Sequence, residues 1–381
     1  AADLIYRVLF GRCSFRSFWP HGLDGSVFYR FLCFVVTMKT VTFLPSSINL
    51  IPDKRDVMRF LKYTGYVVVF LTVILVFLMY KGDLPSEVVD AKYSNEQSRF
   101  LDIASGARIH FRDEGNPSGR ALVLIHGSNA SLHTWEPWVQ RLGDEFRIIT
   151  LDLPGHGLTG RVPGDDYSST AFVETINAVV EHLGVNTFAL GGNSMGGGAT
   201  WRYTLAFPEK VSAMILIDAS GLPQWWSERV QSSDVDNERR PLAFTLLSNS
   251  WFRAIARYID PYQLAAQGAR ASYNNSPVVD QALIDRYYEL AIREGTRDAT
   301  LSRFSGYSPG KAEVINLSVL TQPTLIMWGV EDGLIPVSVA DKFEMALPNT
   351  RKVLYEDVGH VPMEEHPDES ADDVRAFLKT L

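Results

Sequence analysis

The amino-acid sequence predicts an α/β fold: a mostly parallel central sheet flanked by helices, interrupted by an inserted helical lid and preceded by an N-terminal transmembrane helix. Three observations predict it. Short apolar runs alternate with longer stretches of helical spacing, the pattern of successive βαβ units. About 100 residues separate two consecutive strands late in the chain, too many for a structureless loop in a compact domain. Near the N-terminus, YTGYVVVFLTVILVFLMY (63–80) runs for eighteen residues without a charge.

That apolar run comes first in the chain. As a helix it would reach roughly 27 Å, close to the hydrocarbon thickness of a bilayer. A buried core helix would show a polar stripe, and a signal peptide would have a shorter core followed by small residues at a cleavage site. Met79-Tyr80-Lys81-Gly82-Asp83 offers neither, so a retained anchor is expected. Lys54, Arg55, Arg59 and Lys62 precede it, which puts that end in the cytoplasm and the remainder in the periplasm or outside the cell.

Charge divides in the same way. The 381 residues carry a net charge of −8, yet through Lys62 nine Lys/Arg face four acids, a balance of +5 that leaves −13 for the rest. An acidic domain is a poor partner for nucleic acid, whose phosphates require clustered Lys and Arg. With 46% hydrophobic and 21% charged residues, the composition is that of a globular protein. The chain opens at Ala1, while plausible starts lie at Met58 and Met38; much of 1–57 is expected to be upstream sequence of little function. Both cysteines, Cys13 and Cys33, fall there. Beyond the anchor there is thus no thiol for a disulfide framework, a zinc–thiolate site or a cysteine nucleophile.

The organisation expected is a basic segment at 1–62, the anchor at 63–80, a polar linker at 81–98, a first core part at 99–220, a helical lid at 221–320 and a second core part at 321–381. ARIHF, ALVLIHG, RIITLDL, TFALGGN, VSAMILID, PTLIMWG and RKVLYE read as strands, and WEPWVQRL, STAFVETINAVVEHL and VADKFEMAL as helices. The insert contains PLAFTLLSNSWFRAIARYI and VVDQALIDRYYELAIRE, both of helical spacing. Its many aromatic residues serve mainly to pack the lid, with Trp225 and Trp226 as candidate substrate contacts.

Gly192-Asn193-Ser194-Met195-Gly196 is a GxSxG sequence between a strand and a helix. Such a turn strains the serine and pushes its hydroxyl outward, and the flanking glycines avoid collisions. A phosphate loop fits poorly, since no lysine lies at 190–199 and the turn follows several strands. A serine hydroxyl is a weak nucleophile and needs a base that is itself oriented by an acid. Asp332 follows the strand PTLIMWG and His360 follows RKVLYE, which gives the order nucleophile, acid, base expected of this architecture. Glu331 and Asp218 compete for the acid, and His366, His156 and His182 are weaker choices for the base. The backbone N–H groups of Met195 and Ser128 are the candidate oxyanion donors, and His126 reads as a buttress of the Ser128 loop. No metal or cofactor is implied.

From about residue 100 to 381 the chain resembles the α/β-hydrolase family. The residues that carry the resemblance are LIHGSNASLHTW, DLPGHGLTG, GGNSMGGG, WGVEDGLIP and GHVPMEEHP. The resemblance implies the α/β-hydrolase fold and a serine hydrolase, since the family's dehalogenases and epoxide hydrolases carry aspartate at the elbow. GNSMGG and the long insert look like the meta-cleavage product hydrolases, which break a carbon–carbon bond in a dienoate. Two departures favour an esterase or lipase-like enzyme instead. Those hydrolases have tryptophan after the base, where this chain has Val361, and a glycine- and proline-rich oxyanion loop, where it has SNASLHT. Val361 is thereby a third candidate substrate contact. The substrate expected is a small ester with an apolar portion.

Overall fold

The computed structural model describes residues 54–222, 225, 246–247, 249–306 and 315–381. The cysteines, Trp226 and the possible starts before Met58 lie outside the described residues. The uncharged run belongs to one long helix, α1 (Lys54–Met79). Its stretch Val57–Met79, 23 residues, is long and apolar enough to cross a membrane, about 35 Å at helical rise. Every residue in that stretch is exposed, unlike the face a core helix buries. A short helix follows, α2 (Ser86–Tyr93).

Eight strands form one sheet: β1 (Ser98–Asp102), β2 (Arg108–Gly115), β3 (Arg120–Ile125), β4 (Phe146–Leu151), β5 (Phe188–Asn193), β6 (Val211–Ile217), β7 (Thr324–Gly329) and β8 (Thr350–Tyr355). Their order is β1-β2-β4-β3-β5-β6-β7-β8. The first two pairings are antiparallel and the others parallel. The flanking helices are α3 (Glu136–Leu142), α4 (Ser169–His182), α5 (Met195–Ala206), α10 (Ser338–Ala346), α11 (Pro362–Glu365) and α12 (Pro367–Leu378), while α6 (Ser250–Ala256), α7 (Tyr262–Ser272), α8 (Gln281–Ala291) and α9 (Thr296–Gly306) lie in the insertion between β6 and β7.

Period-two alternation sends neighbouring apolar residues to opposite faces of a strand. Val123 and Ile125 of β3 join Leu190, Met214, Leu216 and Trp328 under α4 and α10, whereas Leu122 and Leu124 join Ile215, Ile217 and Met327 under α3 and α12. Both faces are covered, so β5 and β7 are buried at every residue. Registers such as Ile125↔Gly192, Asn193↔Ile217 and Gly329↔Tyr355 bring the C-terminal ends of β3, β5, β6, β7 and β8 to one edge. In open α/β sheets that edge is where ligands bind.

Two features depart from the sequence expectation. Ser98–Asp102 adds an edge strand, half exposed because its five residues SRFLD offer only two large apolar side chains. The linker at 81–98 is a packed element rather than a bare connector. Tyr80 bridges Ile259, the N–H of Asp260 donates to the carbonyl of Met79 at 2.8 Å, and that of Glu294 donates to the carbonyl of Leu84 at 2.9 Å. Arg297 and Arg293 pair with Asp83 and Asp90 at 3.0 and 2.6 Å.

Candidate active site

The turn from β5 into α5 holds Ser194 at φ 54°, ψ −117°, a left-handed conformation that a non-glycine residue keeps only where its surroundings impose it. Here they do. The N–H of Ser194 donates to the carbonyl of Ile217, and its carbonyl accepts from Gly198 and Ser220 at 3.0 and 2.8 Å. A side chain on Gly192 would collide with the Gly196 carbonyl, and one on Gly196 with that of Ile125, so the two motif glycines answer to close backbone approach. Asn193 donates to the carbonyl of His360 at 2.9 Å, fastening the elbow to the loop after β8.

His360 Nδ1 lies 2.7 Å from Asp332 Oδ2, with both residues buried. The carboxylate can only accept there, so Nδ1 carries the proton and Nε2 is left free to take one. The other oxygen of Asp332 accepts from the N–H groups of Leu334 and Ile335 at 2.7 and 3.0 Å, which fixes the carboxylate. The loop carrying His360 is held from two sides. Its N–H donates to the carbonyl of Ser272 at the end of α7, and Glu365 accepts from Gly359 and Val361. Burial pushes the Glu365 carboxyl up to about 7, outweighing the hydrogen bonds that favour its charged form. Among the described residues, no hydrogen bond joins the Ser194 hydroxyl to His360.

Asp218, the competing acid, is fully buried at φ 43°. One of its oxygens accepts from the N–H of Gly329 at 3.0 Å, and the other has no hydrogen-bond partner among the described residues. Burial, and then the negative charge of Asp332, hold its carboxyl well above the usual carboxylate range. Asp218 therefore holds its proton more tightly than an ordinary carboxyl, while Asp332 is the acid that pairs with His360. The ligating atoms of Asp218, Asp332 and His360 lie within 4.8 Å of one another, but His360 Nδ1 and Asp332 Oδ2 are already bonded to each other, which makes a poor cation site. Glu331 donates its N–H to Val358 without joining this cluster.

The loop after β3 lies against the elbow, since a Cβ on Gly127 would stand 3.2 Å from that of Ser194. Ser128 follows directly. The N–H of Met195 opens α5, where no intrahelical acceptor exists. His126 is fully buried with Nδ1 on the Gly127 carbonyl at 2.7 Å and Nε2 accepting from Leu153 N–H at 3.1 Å, so both nitrogens are committed to the loop. His156 binds the Pro154 carbonyl, while His182 and His366 are exposed. Two candidate substrate contacts pack against the core. Trp225 stacks edge-on with Phe343 of α10 at 5.0 Å, and Val361, next to His360, is buried in the cluster under α3 and α12. Sequence reasoning missed the Asn193 bridge, Glu365 and the insertion residue Arg303, which reaches Ser128; only Glu365, five residues after His360, had a local signal.

A family model for the alpha/beta hydrolase fold matches residues 120–367. The chain belongs to that family. This α/β hydrolase is 26% identical to Lipase 1 of Psychrobacter immobilis over 76% of its own length and 86% of the relative's. It is also 26% identical to the pimeloyl-[acyl-carrier protein] methyl ester esterase of Aliivibrio salmonicida, over 72% and 96%. Among solved structures, a meta-cleavage product hydrolase from Pseudomonas fluorescens shares its fold with a TM-score of 0.62 and 22% identity, over 75% of this chain and 99% of that one.

Proposed function

We propose that this α/β hydrolase cleaves carboxylic esters through an acyl-enzyme, with Ser194 as nucleophile, His360 as base and Asp332 as the acid that orients it. The observation that carries the reading is the strained Ser194 turn fastened by Asn193 to a buried His360–Asp332 pair. His360 Nε2 takes the hydroxyl proton as Ser194 attacks the carbonyl, and Asp332 stabilises the imidazolium. The N–H groups of Ser128 and Met195 hold the oxyanion. His360 then returns its proton to the leaving alcohol and activates the water that frees the acid. The Ser194–His360 hydrogen bond closes when substrate is bound, as such bonds commonly do.

The helices of the insertion form a lid over this edge, and α1 anchors the protein, its basic end in the cytoplasm and the hydrolase outside it. Lipase and esterase relatives support ester chemistry over the carbon–carbon cleavage named for the meta-cleavage neighbour. A fluorophosphonate probe should label the wild type and not Ser194→Ala. A panel of short esters, long esters and a dienoate meta-cleavage product should show esters turned over fastest, with Ser194→Ala at background. Full turnover by that variant would overturn the reading, and preference for the dienoate would replace it with carbon–carbon hydrolysis. Membrane pelleting of the full chain, lost on deleting 54–79, tests the anchor.

A further inference from the structure

We propose that Arg303 builds an anion subsite beside the oxyanion loop, which takes a carboxylate carried by the acyl part of the substrate. The inference rests on the ester-hydrolase reading and deepens it by naming a substrate class, the monoesters of dicarboxylic acids. Arg303 projects from α9 to the two residues that frame the candidate oxyanion hole. Its Nη1 donates to Ser128 Oγ at 3.3 Å and lies 3.9 Å from Met195 Sδ. Nη1 also meets His156 Nε2, and Nη2 donates to Asn129 Oδ1 at 2.8 Å and to Thr300 Oγ1 at 3.4 Å.

Every one of these partners is neutral. Burial lowers the basicity of His156 well below that of an ordinary histidine, so it accepts from Arg303 without charge of its own. Among the described residues, the buried Nε of Arg303 has no partner. Other guanidiniums near the insertion are compensated: Arg286 by Glu364 at 2.9 Å, Arg293 by Asp90 and Arg297 by Asp83. Arg202 also has no acid beside it among the described residues, but it lies over the Trp201 ring at 3.8 Å. Among the described residues no carboxylate pairs with Arg303. Desolvation without such a counter-charge weakens its hold on the proton, down to about 10, so it is still cationic at neutral pH.

A guanidinium taken out of water is expensive unless an anion joins it, and its planar fork matches a carboxylate in two parallel hydrogen bonds. A substrate carboxylate would supply the missing charge by taking Nε and displacing the long 3.4 Å contact of Thr300 Oγ1 from Nη2. Because Nη1 touches Ser128, the anion would sit a few bonds from the carbonyl whose oxygen the Ser128 N–H holds.

The test compares monomethyl glutarate with methyl pentanoate, the uncharged analogue in which a methyl replaces the carboxylate, in the full-length protein. Wild type should favour the monoester in kcat/KM. Arg303→Gln should reduce the monoester-to-neutral ratio about ten- to hundredfold, the range for a charged hydrogen-bonded pair, and Arg303→Lys should restore part of it. Equal loss on both substrates would mark Arg303 as a clamp between α9 and the loop and overturn the proposal, as would a wild-type preference for methyl pentanoate. Equilibrium binding to Ser194→Ala separates the two readings. Tighter binding of monomethyl glutarate that depends on Arg303 supports the subsite whatever the turnover, whereas turnover surviving in Ser194→Ala overturns the nucleophile assignment alone.

Discussion

At Ser194 the backbone sits at φ 54°, a conformation that costs a residue with a side chain on the order of 1 kcal/mol or more and glycine almost nothing. Replacing Ser194 by Gly should therefore raise the stability of the fold by about 0.5–1 kcal/mol in denaturant titration while removing ester turnover. Ser194→Ala, which keeps the Cβ, should remove turnover without that gain. The two buried aspartates separate just as cleanly. Asp332 is the hydrogen-bond partner of His360 Nδ1, so Asp332→Asn should lower kcat by about 10³–10⁴-fold through the wrong imidazole tautomer. Burial favours the uncharged form of Asp218, so Asp218→Asn, which puts an uncharged group of the same shape there, should leave kcat within about tenfold and the pH–rate profile in place. A collapse of activity in Asp218→Asn with Asp332→Asn still active would reverse the roles of the two acids.

Between elements, the insertion is tied to the rest of the domain by the ion pair of Arg286 in α8 with Glu364 in α11, at 2.9 Å and with the carboxylate only 5% exposed. Thr134 donates to the same carboxylate. Arg286→Met would strand a buried charge and should destabilise the fold by about 3 kcal/mol, whereas Arg286→Met with Glu364→Gln together should recover most of the loss. The strands β2 to β8 are legible in the sequence because each is a short apolar run bounded by turn residues, and the order Ser194, Asp332, His360 follows from their C-terminal ends. β1 is not legible, since SRFLD lies at the sheet edge with no fully buried residue. α2 is not legible either, because Val89 is its only buried residue and one apolar position makes no period. Asn193 meets His360 across 167 residues of sequence, and Arg303 meets Ser128 across 175. Neither contact leaves a local pattern, since only the closed sheet and the docked insertion bring those residues together.

For the molecule as a whole, Glu365 couples stability to pH. Its carboxyl is raised from an ordinary 4.5 to about 7 by burial, so the folded state binds the proton more tightly than the unfolded chain does. That contribution is fully present below pH 4.5 and is lost as pH rises through about 7, on the order of 3 kcal/mol in all. Glu365→Gln should flatten the fall in unfolding free energy between pH 5 and 8; an unchanged slope would mean that another group carries it.

The packed segment after α1 has a mechanical consequence. Met79 and Tyr80 are bonded to residues 259–260, and the two acids that follow, Asp83 and Asp90, grip Arg297 and Arg293. A pull on the N-terminal side of Tyr80 would enter the domain through the insertion and load its helices before the sheet. For the same reason, where the chain is cut matters more than how much is removed. A chain beginning at residue 80 keeps both grips, whereas one beginning at residue 95 leaves two guanidiniums without acids and should melt several degrees lower.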